Sequence, residues 1–475
     1  MLNIADNRII FFREGGVMAI DDELERYLGR LAGVLGHADR RTGLMDYCRG
    51  LMLPIKRKSV EPLAASVDPL HVQAKHQSLH HFVAKSAWSD AAVLREVRAI
   101  VEPALGLDRE CYWIIDDTGI PKQGNHSVGV TRQYCGQLGK TENCQVVVSL
   151  SLASHLGSLP IQWRLYLPED WADDRSRCAA AGVPEDVAFA TKIEIALAQV
   201  KQAQDDGVPA GIVLADPAYG DSAGFRDRLT TMGLTYAVGI RSATSVWAPG
   251  TAPLPPEPTV GRGRPSKNLR RAPGHTPVPV KALALDLPET AYQTIAWREG
   301  TNETLHSRFA AVRVRTAHKD YWRSTLRPEE WLLVEWPEGD AEPLKYFLTT
   351  LPADTSIAQL VYVTKMRWRI ERDYRELKQE FGLGQYEGRN WRGVHHHATL
   401  CIAAYAFLLH QRLTHGSKKN AARPKAPALP ENYHPRGSGA SATARAGFDQ
   451  HASPQNRRSH RQATSAMSVL RFAKA

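Results

Sequence analysis

The 475-residue sequence predicts an α/β protein: a helical front end, then a mixed-sheet core that a β-rich insertion interrupts. Three observations carry this. Between residues 111 and 240 short apolar strands come in the order three strands, helix, strand, helix, strand, a pattern that builds one sheet covered by helices. Residues 247–280 are rich in Pro and Gly and lack apolar periodicity, which marks a linker. Beyond them strand-like pieces and then helical spacing resume.

Residues 1–107 form the expected helical segment. "AIDDELERYLGRLAGVLG" offers Asp21 or Asp22 as a cap, and "SDAAVLREVRAIVEPAL" offers Ser89. Arg40, Arg41, Lys56, Arg57 and Lys58 suit a DNA-binding module, although a packing role is equally compatible. The first part of the core covers 108–241. "CYWIID", "CQVVVSLSLAS" and "LPIQWRLYLP" read as an antiparallel meander. "GIVLAD" is a continuous apolar run, as a buried parallel strand requires. Residues 242–336 comprise the linker and the β-rich insertion. The core resumes over 337–414 with a long helix, and 415–475 read as a basic, disordered tail.

Charge sits unevenly. Of the formal +10, residues 416–475 hold +9, with eleven Lys/Arg against Glu431 and Asp449. A polyanionic partner is therefore implied for the tail, whereas the rest is close to neutral. Six cysteines without C-x-x-C spacing suit free thiols in a reducing compartment. No signal-peptide layout is present, and the twelve-residue run "ATLCIAAYAFLL" is too short to span a bilayer. The expectation is an intracellular protein without a membrane segment.

The stretch "RWRIERDYRELKQEFGLGQYEGRNWRGVHHH" (367–397) concentrates chemistry. Ile370, Tyr374, Leu377 and Phe381 make a buried stripe at helical steps, and Gly382 offers a stop. Arg367, Glu371 and Lys378 share another face. By themselves these are ordinary surface ion pairs, worth about 0.3–0.5 kcal/mol each. Two further acids change the weight: Asp116 ends the first apolar strand, and Asp216 ends "GIVLAD". A strand-end Asp often only caps a turn. Three carboxylates from two strand ends and a helix are instead hard oxygen donors suited to Mg²⁺ or Mn²⁺. Two such ions can activate the attacking oxygen and stabilise the leaving oxygen of a phosphodiester. The "HHH" at 395–397 points three ways on a helix and makes a poor metal site.

The order of strands resembles the ribonuclease H-like fold. "DDTGIPKQGNHSVGVTRQYCGQLGKTENCQV" (116–146), "VLADPAYGDSAGFR" and "RWRIERDYRELKQEFGL" with "YEGRNWRGVHHH" resemble, in this order, the three catalytic blocks of bacterial insertion-sequence transposases of the DDE superfamily. The likeness runs from about residue 75 to 414. It implies that Asp116, Asp216 and Glu371 are catalytic, metal-binding acids holding two Mg²⁺ or Mn²⁺ ions. It also implies that Arg367 and Lys378 contact DNA phosphates. The family's Y-x2-R-x3-E-x6-K pattern has Thr364 at its tyrosine position, with Tyr362 or Tyr374 as substitutes. Its D-x-T pattern favours Asp116, with Thr118, over Asp117; strand alternation lets only one of these acids join the site. Glu376 lies off the face of Glu371.

The resemblance further implies double-stranded DNA as partner, both element ends and target. It implies a homodimer or larger synaptic assembly, and a bacterial cytoplasmic location beside the nucleoid. Arg262 and Arg264 in "GRGRPSK" resemble the core of an AT-hook, a minor-groove arm; the alternative is a solvated linker. Two other functions compete: a catalytically inactive, transposase-derived DNA-binding regulator, and a stand-alone ribonuclease H-like nuclease.

Overall fold

In the computed structural model, residues 21–257, 266–299 and 304–415 are described, with the backbone of three strands ahead of them. Arg262, Arg264 and the tail from 416 onward lie outside the described residues.

β1 (Leu2–Ala5), β2 (Arg8–Arg13) and β3 (Gly16–Ala19) form an antiparallel meander. Five helices follow: α1 (Asp21–Gly33), α2 (Arg40–Met52), α3 (Val60–Val67), α4 (Val72–Ala84) and α5 (Asp90–Val101). Ser89 caps α5 as expected, accepting the amide of Ala92 at 3.1 Å.

The core opens with β4 (Tyr112–Pro121), β5 (Thr131–Cys135), β6 (Lys140–Ala153) and β7 (Ser158–Leu165). Two short helices, α6 (Glu169–Ala172) and α7 (Arg175–Ala180), lead to α8 (Lys192–Asp205), whose Thr191–Glu194 capping box fixes its start. β8 (Ile212–Ala215), α9 (Pro217–Gly220), α10 (Ala223–Thr231) and β9 (Tyr236–Ile240) complete this half. β4, β8 and β9 are mutually parallel, whereas β6 runs antiparallel to β4. The continuous apolar run of β8 is thus explained: it lies between two parallel neighbours and is buried throughout.

The insertion carries β10 (Ser245–Trp247), β11 (Val278–Pro279), α11 (Val280–Asp286), β12 (Gln293–Glu299), β13 (Thr304–Thr316) and β14 (Glu330–Trp336). β15 (Lys345–Thr349) pairs with β9, then β14 with β15 and β13 with β14, all antiparallel. The strands of the insertion therefore prolong the core sheet into one of twelve strands. Between β10 and β14 a second apolar cluster forms, around Val246, Val280, Val314 and Leu332.

Three helices end the described residues: α12 (Ile357–Lys365), α13 (Trp368–Gln379) and α14 (Trp391–His415). Ile370, Tyr374, Leu377 and Phe381 are all buried, and Gly382 adopts the left-handed φ of 68° that stops the helix. α14 is buried almost all round. It docks the front helices onto the core, since Tyr27 on α1 donates to the carbonyl of Ala403 and Tyr47 on α2 meets His397 Nδ1 at 2.9 Å. One apolar cluster runs from Leu24 through Trp113 to Leu409. All six cysteines are free and buried, and among the described residues no helix is long and apolar enough to cross a membrane.

Candidate active site

Strand register brings the first two acids together. Ile114 pairs with Leu214 across the parallel β4–β8 ladder. Two residues further on come Asp116, still on β4, and Asp216, the first residue past β8, near enough for their charges to interact. β8 stops at Ala215, and Asp216 caps α9, accepting the amide of Ala218 at 2.9 Å. Asp116 is half-buried. Burial pushes its carboxyl up to about 7, Arg367 opposes the rise, and the charges of Asp216 and Asp117 add to it.

The third acid arrives through an arginine. Arg367 heads α13 and reaches both ways, with one guanidinium nitrogen 3.4 Å from Asp116 Oδ1 and another 3.8 Å from Glu371 Oε1. Glu371 itself is 63% exposed. Lys378 Nζ donates to the carbonyl of Gly119 on β4 at 3.1 Å, so two cations of α13 pin it along the strand that carries Asp116. Of the three residues that share one helix face, Arg367 and Lys378 thus reach β4, and Glu371 is tied to it through Arg367.

Asp117 faces elsewhere, paired with Lys192 of α8 at 2.6 Å. The alternation of a strand accounts for this division of the two neighbouring acids. Glu376 is bound by Arg372 at 3.0 Å and by Arg412 at 2.8 Å, away from Asp116. Thr364 bonds within α12, Tyr362 donates to Glu110 Oε1 at 3.2 Å, and the Tyr374 hydroxyl meets Ser149, the residue opposite Asp116 on β6.

Sequence reading missed Tyr219. Its side chain is buried, and its hydroxyl has no hydrogen-bond partner among the described residues. Its pKa is driven upward by burial and then by Asp117, Asp116 and Asp216. An orphaned phenol beside neighbouring carboxylates is the arrangement expected where an ion or water belongs. The only sequence signal was its place three residues after Asp216.

His395, His396 and His397 are structural. His396 stacks on Trp88 with centroids 3.5 Å apart and meets the carbonyls of Val83 and Trp88 at 3.0 Å each. Burial pushes it down to about 4. Among the described residues, no group of three His, Cys, Asp or Glu side chains is gathered as a ready metal cage. Asp116 and Asp216 fit a hard divalent cation through their oxygens and their mutual repulsion. Glu371 is the outlying donor, linked to them through Arg367.

A large mixed sheet that presents acids at adjacent strand ends, with a further acid on a following helix, is consistent with a ribonuclease H-like fold of the DDE type. Residues 30–304, more than half of the chain, match the model of the DDE superfamily endonuclease, and the chain belongs to that family. The matched stretch contains Asp116 and Asp216 and ends before Glu371. The chain is also 34% identical over 194 residues to the probable transposase for insertion sequence element IS701 of Microchaete diplosiphon. That similarity covers 41% of this chain and 47% of the relative, so it spans about half of the relative's length.

Proposed function

We propose that this protein is a DNA transposase that binds the terminal inverted repeats of an insertion sequence, cleaves phosphodiester bonds there and joins the 3′ ends to target DNA. One observation carries the reading: Asp116 and Asp216 follow the paired segment of neighbouring parallel strands and interact by charge, and Arg367 ties Glu371 to the first of them. The name of the similar transposase points the same way.

In this reading Asp116 and Asp216 hold one divalent cation, and Asp116 with Glu371 holds a second. Bound Mg²⁺ or Mn²⁺ would supply charge neutralisation at the attacking and leaving oxygens. Arg367 neutralises Asp116 and Glu371 in the unloaded protein, where unshielded carboxylates would repel a phosphodiester. With that neutralisation supplied by a bound metal, Arg367 and Lys378 would hold a DNA phosphate. Tyr219 aims a hydroxyl donor into the acid cluster and orients a carboxylate or water there. Water, and later the freed 3′-OH, is the nucleophile, so no covalent enzyme intermediate is involved. Joining two ends calls for a homodimer or larger assembly.

The test is incubation of the purified protein with DNA bearing the host element's ends, with and without Mg²⁺, followed by mapping of the breaks. Metal-dependent cuts at the ends support the reading. Intact DNA, or cutting that ignores metal, overturns it.

A further inference from the structure

Resting on that reading, we propose that a basic cleft built jointly by the front helices, the loop after β4 and the loop after α13 is a second contact for the DNA backbone. Two adjoining recesses, of about 330 and 420 Å³, share His126, Tyr386 and Arg389 in their walls. Five Lys/Arg side chains line them: Arg57, Lys85, Lys122, Arg177 and Arg389. One acid, Glu387, faces these five, and it is paired with Arg57.

The cations come from separate parts of the chain yet point into one open groove, an arrangement that suits a row of phosphates better than one small anion. Several are already fixed. Arg177 lies 3.6 Å over the ring of Trp171 and donates to the carbonyl of Asn125 at 2.9 Å. Lys122 Nζ donates to the carbonyl of Tyr386 at 2.7 Å. Lys85 and Arg389 are exposed, and neither side chain forms an ion pair or hydrogen bond with the described residues. On the same wall His80 is held below its ordinary value by burial and then by the nearby His76, Lys85 and His81.

Position ties the cleft to the acids. β4 runs unbroken from Asp116 to Pro121, and Lys122 follows. Six residues of extended chain cover about 20 Å. For a duplex lying along β4 with its scissile phosphate at Asp116, this reaches backbone about six nucleotides away. Contacts to phosphate carry no sequence information, so the cleft sets register and grip and does not select the site.

The experiment measures binding of the full-length protein to a short fluorescent DNA duplex of arbitrary sequence, by anisotropy over a range of salt concentrations. Lys85→Gln with Arg389→Gln is compared with wild type and with Arg95→Gln plus Arg228→Gln, which removes two exposed arginines outside the cleft. Each lost phosphate contact lowers the log–log salt slope by about 0.9. The cleft variant should therefore lose about 1.8 while the control keeps the wild-type slope. An unchanged slope in the cleft variant, or an equal loss in both, overturns the cleft and leaves the transposase reading standing. A wild-type protein without salt-dependent affinity for the duplex overturns both.

Discussion

Replacing Arg367 by Gln removes the one cation that, among the described residues, is ion-paired with Asp116. At 3.4 Å the lost attraction is about 1 kcal/mol if screened as in water and about 5 kcal/mol at an effective dielectric of 20. These bounds translate into a rise of about one to nearly four in the carboxyl pKa. With Arg367 present, Asp116 sits at about 7. At pH 8 only about one molecule in ten then carries the proton, whereas in the variant between about half and nearly all do. A metal ligand must shed its proton when the cation binds. Calorimetric titration with Mn²⁺ at pH 8, in buffers of different ionisation enthalpy, counts that proton. Wild type should release about 0.1 proton from this group and Arg367→Gln about 0.5 to 1. Equal release from the two proteins would refute the claim that Arg367 neutralises Asp116.

Other consequences concern the same neighbourhood. Because the folded-state pKa of Asp116 is raised, its contribution to stability is full below about pH 4 and is lost as the pH climbs through about 7. Denaturant melts of the metal-free protein should show that loss in wild type and not in Asp116→Asn. Tyr219→Phe deletes a buried hydroxyl without a partner. It should leave metal-free stability unchanged or raise it by up to about 1 kcal/mol, while Mn²⁺ affinity falls; a loss of stability with affinity intact would remove Tyr219 from the site. Asp117→Asn breaks the pair with Lys192 and should cost about 1 kcal/mol or less, with cleavage retained. Cleavage lost in Asp117→Asn and kept in Asp116→Asn would transfer the role. Arg262→Ala with Arg264→Ala should weaken binding to A·T-rich duplexes more than to G·C-rich ones at one salt concentration; equal losses would make these arginines generic phosphate contacts.

Much of this was legible in the sequence because it is local. An apolar run as uniform as Ile212–Ala215 has to be buried on both faces, and it lies between β4 and β9. The stripe from Ile370 to Phe381 buries as its spacing requires. Alternation foretold that Asp116 and Asp117 would part company, and Lys192 takes the second. What escaped depends on long-range pairing. β13 and β14 carried a strand signal, yet nothing local says that β15 will attach them to β9 and so extend the core sheet. Thr131–Cys135 was missed as a strand because its pairing with β6, and not its apolar content, holds it. Spacing put Arg367 on the face of Glu371, but only the packing of α13 across β4 turns its guanidinium onto Asp116. The histidines, a poor metal site by their spacing, are sockets, but their partners, the carbonyls of Val83, Trp88 and Gly382, were not legible because they come from other segments.

The most direct test of the central claim compares single substitutions that change charge and almost no volume. Asp116→Asn, Asp216→Asn and Glu371→Gln are each mixed with end-bearing DNA and Mg²⁺, and strand breaks are counted beside a binding measurement on the same samples. Each variant should bind DNA as wild type does and cut it at a rate reduced by several orders of magnitude, since a neutral amide is a poor ligand for a hard cation. Wild-type cutting by any of the three would contradict the assignment of that residue, and wild-type cutting by all three would contradict the account.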